Sequence, residues 1–170
     1  MAEKAGTLPG SSEPGAYEFD PAELRLRVDE TIRGEAGAVP EVVERIMAAV
    51  GEMGYAQGQE FEIRLALSEA LANAVVHGCG GDPQKKVQVC VECDPVRGML
   101  VVVRDPGPGF DPLKVPSPID GARVYSGGGR GIFLINRLMD EVRYNRLGTE
   151  IRMRKHDAAP RPSAEAVPEP

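Results

Sequence analysis

The chain has 170 residues, of which 42% are hydrophobic and 27% charged, and its formal net charge is -6 at pH 7. These values are typical of one soluble globular domain, and no apolar run approaches the roughly 20 residues that a membrane helix needs. The acidic excess argues against nucleic acid as the main partner, because phosphate binding requires basic residues. Residues 1–20 lack the apolar core of an export signal, so we expect a cytoplasmic protein that does not insert into a membrane.

Both ends of the chain differ in composition from its centre. Residues 1–20 and 156–170 are rich in proline, alanine or glutamate and contain few apolar side chains. Segments of this kind bury too little apolar surface to offset the entropy lost on ordering. The composition therefore predicts two disordered tails around one domain at residues 21–155.

Helical spacing of apolar residues predicts three helices. The first begins at Pro40, which suits the first turn of a helix, and ends before Gly54. The second runs over residues 59–77 and buries a stripe of small and aliphatic side chains. The third occupies residues 132–139. The stripe expected on the second helix consists of Leu67, Ala70, Leu71, Ala74 and Val75.

Alternating patterns predict five strands in the remaining parts of the domain. Residues 24–28 form a half-buried first strand, and residues 87–93 and 99–105 form a hairpin whose second strand is apolar enough to be central. Residues 141–145 and 149–154 form a second hairpin. Helices and mostly antiparallel strands are thus segregated along the chain. This order predicts an α+β two-layer sandwich, with a mixed, mostly antiparallel sheet and three helices on one face.

A long glycine- and proline-rich segment interrupts this order at residues 106–130. A connection of about 25 residues without regular structure is uncommon in a compact domain unless it covers or binds a ligand. We therefore expect this segment to be a mobile lid over a binding site.

Three polar residues spaced four apart mark one face of the second helix, namely Glu69, Asn73 and His77. Residues at this spacing lie above one another and can line a shared pocket. An asparagine oxygen is a suitable ligand for Mg²⁺, and a carboxylate one turn away could accept a proton from a group that attacks a phosphate. Taken alone, the same spacing also occurs on many solvated helices.

Two glycine clusters follow. Asp105 ends an apolar strand and precedes Pro-Gly-Pro-Gly, where Gly107 and Gly109 would let a flat ring approach the backbone. Asp105 could then accept a hydrogen bond from an exocyclic amine such as that of adenine. A strand-ending turn is the alternative for this motif alone.

The second cluster runs directly into the third helix. Amide groups at a helix N-terminus attract phosphate oxygens, and Arg130 could add a positive charge. For this cluster alone, a flexible hinge is an equally good interpretation. Its residues are Gly127, Gly128, Gly129, Arg130 and Gly131.

The order of these motifs resembles the ATPase and kinase superfamily of gyrase, heat-shock protein 90, histidine kinases and mismatch-repair proteins, which shares the Bergerat fold. The resemblance is closer to the bacterial anti-sigma-factor serine kinases. It covers roughly Leu24 to Lys155. The segments that carry it are Glu69-Ala-Leu-Ala-Asn73-Ala-Val-Val-His77-Gly78, Asp105-Pro-Gly-Pro-Gly109-Phe110, Gly129-Arg-Gly131-Ile132-Phe-Leu-Ile and Leu138-Met-Asp-Glu-Val.

The resemblance implies a role for each motif. Asn73 would hold Mg²⁺, Glu69 would be the general base, Asp105 would bind adenine, and Thr149 would lie near the adenine. The glycines of both clusters would shape the nucleotide loops. The implied reaction is transfer of the γ-phosphate of MgATP to a serine or threonine of a small antagonist (anti-anti-sigma) protein.

The resemblance also implies protein partners. Such kinases sequester a sigma factor, and they are commonly homodimers. Residues 31–39 and the N-terminal tail match no binding surface that we can assign, so the identity of the partner stays open. An ATP-gated binding protein that transfers no phosphate remains the alternative, although Glu69 favours a kinase because a binding module needs no base. A sensor histidine kinase is disfavoured, since only His77 and His156 occur and neither lies on a separate helical hairpin.

Overall fold

A computed structural model describes residues 19–111, 130–145 and 147–156. Five strands and three α-helices occur in these ranges. The strands are β1 (Leu26–Arg33), β2 (Lys86–Asp94), β3 (Gly98–Arg104), β4 (Glu141–Tyr144) and β5 (Glu150–Lys155). The helices are α1 (Val39–Glu52), α2 (Glu60–Asn73) and α3 (Arg130–Leu138), with a 3-10 turn at Ala36–Ala38 and a π-helical turn at Ala74–Gly78.

The strands form one sheet in the order β1-β2-β3-β5-β4. All four pairings between these described strands are antiparallel. The sequence predicted a mixed, mostly antiparallel sheet, and none of the described pairings is parallel. Strand β3 lies in the middle, as its apolar sequence predicted. The predicted α+β fold class is confirmed.

One face of the sheet is covered by the helices. Side chains alternate between the two faces of a strand, so every second residue of β2, β3 and β5 points into the main core. The stripe predicted on α2 is buried in the same core and is confirmed. The sheet residues in this core include Val87, Val89, Val91, Cys93, Val101, Val103, Ile151 and Met153.

The opposite face of the sheet carries a second, smaller core. Phe19 is only 5% exposed and packs with Leu100 and Val102 of β3. The Arg154 guanidinium carbon lies 5.8 Å from the centre of the Phe19 ring. The predicted N-terminal tail therefore extends too far, because Phe19 is part of the packed domain. The rest of the two predicted tails, at 1–18 and 157–170, lies outside the described residues.

Phe19→Ala should lower the free energy of unfolding by roughly 2 kcal/mol, because it exposes the apolar surface of Leu100 and Val102. Phe61→Ala is the matched control, since Phe61 is 74% exposed and should change stability little. Chemical denaturation of both variants measures the difference. Equal stability of the two variants would show that Phe19 does not belong to the fold.

A buried lysine fixes the end of α3 against the rest of the domain. Lys155 Nζ donates a hydrogen bond to the Leu138 carbonyl oxygen at 2.7 Å and lies 2.7 Å from Glu62 Oε2. A cation is favoured here because the last carbonyls of a helix carry partial negative charge. This contact joins α3, α2 and β5, and so helps to place the start of α3 over α2.

No helix in the described ranges is long and apolar enough to cross a membrane.

Candidate functional site

The predicted site residues meet at one end of the sheet. Asp105 follows the last residue of β3, and Thr149 precedes the first residue of β5. The Asp105 amide donates a hydrogen bond to the Thr149 carbonyl oxygen at 3.0 Å, so the two residues lie opposite each other. They continue the strand rows of Val103 and Ile151, which face the helices. Both side chains are therefore placed on the helical side of the sheet.

Asp105 is held by glycines on two sides. A Cβ atom at Gly78 would overlap Asp105 Cβ, Cγ and Oδ1, and a Cβ atom at Gly107 would lie 2.5 Å from the Gly78 carbonyl oxygen. The end of the α2 region thus touches the turn directly. Gly107 N donates to Asp105 Oδ1 at 2.8 Å. Burial raises the pKa of Asp105, and the bond from Gly107 opposes this shift.

A second close contact joins the Asp-Pro-Gly-Pro-Gly turn to the β4–β5 hairpin. Gly109 has a φ of 70°, and a Cβ atom there would overlap the Leu147 carbonyl oxygen. Phe110 N donates to that same oxygen at 3.1 Å. A left-handed conformation without space for a side chain requires glycine. Gly109 thus lets the turn pack against the hairpin that carries Thr149.

The hairpin turn is organised by Asn145, for which the sequence predicts only a place at the end of a strand. Asn145 Oδ1 accepts hydrogen bonds from Thr149 N at 2.9 Å and Glu150 N at 3.2 Å. Asn145 Nδ2 donates to Thr149 Oγ1 at 3.1 Å. An asparagine shortly before a glycine is a known turn signal, and it could have identified this residue.

The Glu69 and Asn73 pair lies against the beginning of α3. Both side chains are half-buried on α2. A Cβ atom at Gly131 would lie 2.8 Å from Glu69 Oε2 and 2.9 Å from Asn73 Nδ2. Glycine at this position therefore brings the backbone of α3 onto the carboxylate and the amide. The structure thus unites two motifs that are about 60 residues apart in the sequence.

The helix changes its hydrogen-bond register immediately after Asn73. Cys79 N donates to the Ala74 carbonyl oxygen at 2.9 Å, five residues earlier, within the π-helical turn. Such turns hold more residues than an α-helical turn and are frequent at functional sites. His77 is consequently displaced around the axis from the line of Glu69 and Asn73, and it is exposed.

The second glycine cluster is only partly described. Arg130 is the first residue of α3 and is exposed, and Gly131 follows it. Gly127, Gly128 and Gly129 lie outside the described residues, as does most of the predicted lid.

The donor atoms of Glu69 and Asn73 fit one particular type of metal site. Within the described ranges, no group of three or more histidine, cysteine, aspartate or glutamate residues could hold a metal ion. Mg²⁺ needs few protein ligands, because it keeps several waters and is often bound through substrate phosphates. One hard oxygen from Asn73 beside a carboxylate suits an ion that arrives with a nucleotide.

The antiparallel sheet has an Asn/Glu pair on the underlying helix and a glycine turn after its central strand. This is the arrangement expected of a nucleotide-binding domain of the ATPase class. Residues 32–155 match the family described as histidine kinase-like ATPase domain. The chain belongs to this family.

Three proteins that are similar to this chain share one name. The chain is similar to "Serine-protein kinase RsbW" from Bacillus subtilis, with 31% identity over an alignment of 118 residues that covers 65% of this chain and 73% of the relative. The protein of the same name from Bacillus licheniformis is 32% identical over an alignment of 127 residues that covers 69% of this chain and 79% of the relative. That from Halalkalibacterium halodurans is 30% identical over an alignment of 129 residues that covers 70% of this chain and 78% of the relative. The resemblance to the anti-sigma-factor serine kinases is thereby confirmed at the level of the family.

Proposed function

We propose that this protein is a cytoplasmic serine/threonine protein kinase that transfers the γ-phosphate of MgATP to a small antagonist protein. The observation that carries the proposal is the contact of Gly131 with both Glu69 and Asn73. It brings a potential base, a potential metal ligand and the N-terminus of a helix into one place. These are the groups that phosphoryl transfer requires.

Glu69 acts as the general base in this proposal. Its carboxylate accepts the proton of a serine or threonine hydroxyl while that oxygen attacks the γ-phosphorus, and ADP leaves with the bridging oxygen. Asn73 would hold Mg²⁺ through Oδ1, and a bound Mg²⁺ would supply neutralisation of the phosphate charge. The N-terminus of α3 at Arg130 and Gly131 would attract the phosphate oxygens.

The opposite end of the site would hold the adenine. Asp105 would accept a hydrogen bond from the exocyclic amine, and Thr149 lies across from it on the neighbouring strand. Gly107 and Gly109 keep this edge without side chains. In the same proposal the glycines at 127–129 contact the phosphates, and His77 lies at the rim of the pocket.

The proposed physiological role is that of an anti-sigma-factor-like regulator. The protein would hold a sigma factor or a similar partner, and phosphorylation of the antagonist would decide which partner is bound. The relatives' names support serine as the acceptor residue in those proteins. A homodimer is part of this proposal.

The test is transfer of labelled γ-phosphate from MgATP to a small antagonist protein encoded beside this chain. We expect acid-stable label on the antagonist, because phosphoserine and phosphothreonine survive acid whereas phosphohistidine does not. An antagonist in which the labelled residue is replaced by alanine is the control. ATP binding without transfer to any antagonist tested would favour the alternative, an ATP-gated binding protein without kinase activity.

A further inference from the structure

Helices α2 and α3 lie side by side and are joined at both of their ends. At one end, Gly131 at the start of α3 contacts the proposed base and metal ligand near the end of α2. At the other end, Lys155 Nζ lies 2.7 Å from the Leu138 carbonyl oxygen, the last residue of α3, and 2.7 Å from Glu62 Oε2 in the first turn of α2. The two helices are therefore antiparallel, and the Lys155 contact lies at the end remote from the proposed phosphate site.

The two contacts are equally far apart on both helices. Gly131 and Leu138 are seven residues apart on α3, and Glu62 and Glu69 are seven residues apart on α2. Seven residues of an α-helix rise about 10 Å. Both contacts therefore form together in one alignment of the two helices. A shift of α3 at its Lys155 end would move Gly131 away from Glu69 by the same amount.

Apolar packing alone fixes this alignment only weakly. Of the residues of α3, all of which the structure describes, only Ile135 is buried. The hydrophobic effect has no preferred direction, whereas a hydrogen bond or an ion pair joins particular atoms. The contacts of Lys155 thus determine where α3 stops along α2.

The ammonium group of Lys155 is itself held firmly. Lys155 is only 8% exposed. Asp140 Oδ1 lies 3.6 Å from Nζ, and Asp140 Oδ2 accepts a hydrogen bond from His156 N at 2.6 Å. An ammonium group carries three hydrogens, and it faces three oxygen groups here, those of Leu138, Glu62 and Asp140. The position of Nζ is consequently defined from α2, α3 and the turn that follows α3.

We propose that Lys155 is a positioning residue for the proposed phosphoryl transfer. It sets the alignment of α3 along α2, and through it the place of the α3 N-terminus at the phosphates. A displacement of about 1 Å at such a site can lower the rate of reaction 10²-fold. This inference rests on the proposed function, because it assumes that the start of α3 binds phosphate.

Lys155→Met tests the inference, because it keeps an unbranched apolar stem and removes the three donors. We expect the affinity for MgATP to fall about tenfold, since the α3 amides lose their alignment with the phosphates. The affinity for adenosine should stay unchanged, because adenosine has no phosphate and would use the Asp105 end of the site. Calorimetry measures MgATP binding, and an NMR titration measures adenosine binding. Phe19→Ala is the control for lost stability, since it weakens the opposite face of the sheet and should keep the ratio of the two affinities.

A pair of substitutions on α2 tests the same contact from its other side. Glu62→Ala breaks the link between Lys155 and α2, and it should lower the ratio of the MgATP and adenosine affinities about threefold. Glu60→Ala removes the same charge from the same helical turn and should keep the ratio. Lys155→Arg retains a charged donor and should keep most of the MgATP affinity. The Glu62 variant decides the question even where Lys155→Met folds poorly.

The position of α3 can also be followed without any nucleotide. The NMR resonance of the Gly131 amide should shift in Lys155→Met and in Glu62→Ala, but not in Glu60→Ala or Phe19→Ala. A Gly131 resonance that stays in place in Glu62→Ala would overturn the inference and leave the proposed function untouched.

The nucleotide measurements separate the two proposals in the same way. Wild-type protein that binds no MgATP would overturn the proposed function and the inference with it. Wild-type protein that binds MgATP, with an unchanged ratio in Lys155→Met or in Glu62→Ala, would overturn the inference alone. Equal weakening of MgATP and adenosine in Lys155→Met would show that Lys155 only stabilises the fold, and this also overturns the inference.

Discussion

Glu69→Gln is expected to slow phosphoryl transfer to the antagonist by roughly 10²- to 10⁴-fold, the usual contribution of a general base. The amide has the same shape as the carboxylate but cannot accept the proton of the attacking hydroxyl. The contact with Gly131 can be kept by either side chain, so the affinity for MgATP should change little. A loss that appears in the rate and not in nucleotide binding would assign the base to Glu69.

Single-turnover transfer of labelled phosphate is the suitable measurement, because it separates the chemical step from product release. Glu60→Gln is the matched control, since it makes the same substitution on an exposed residue at the start of the same helix. It should transfer phosphate at the wild-type rate. If Glu69→Gln did so as well, the proposed role of Glu69 would be wrong.

Much of the fold follows from local patterns in the sequence. All the residues of the predicted stripe are buried, because helical periodicity records which face meets the sheet. Ile63 and Ala66 extend the same buried face of α2 toward its start and were not predicted. The central position of β3 followed from an apolar run at Val101 to Val103, which only a strand covered on both faces tolerates. The two hairpins and the first and third helices were also found, with differences of one or two residues at their ends. Helix α2 ends at Asn73, where the π-helical turn continues it, and β1 runs to Arg33, beyond its predicted end at residue 28.

The remaining features depend on contacts that the sequence does not display. An α-helix and a π-helical turn are built from the same residue types, so the change of register after Asn73 could not be read from the sequence. Phe19 stands between Glu18 and Asp20, two residues before Pro21, in a segment too irregular to show a periodicity. Asn145 organises its hairpin turn through side-chain hydrogen bonds to Thr149 and Glu150, across the turn. In each case a tertiary or turn contact, and not a local sequence pattern, determines the structure.

Gly78 is the clearest case of a contact that the sequence does not display, because the sequence indicated only a helix end there. In the structure, its missing side chain is what allows Asp105 to approach the α2 region. Rotation of the Asp105 side chain could not relieve a clash, since a new methyl group would overlap Asp105 Cβ as well as the carboxyl group. The turn also has no space to retreat, because Gly107 already lies against the Gly78 backbone.

Gly78→Ala should therefore lower the free energy of unfolding by about 1 to 3 kcal/mol, as overpacking of a tight contact usually does. Displacement of the Asp105 carboxylate should also weaken ATP binding roughly 10- to 100-fold, the equivalent of one hydrogen bond to a charged group. Gly51→Ala is the control, because a Cβ atom on that helical residue meets nothing within 4 Å. Alanine there should stabilise α1 by up to about 1 kcal/mol and leave ATP affinity unchanged. The expected result is that Gly78→Ala loses stability, Gly51→Ala gains it, and only Gly78→Ala binds ATP more weakly. This would tie the nucleotide site to the contact between Gly78 and Asp105. Wild-type ATP affinity in Gly78→Ala would instead separate Asp105 from nucleotide binding.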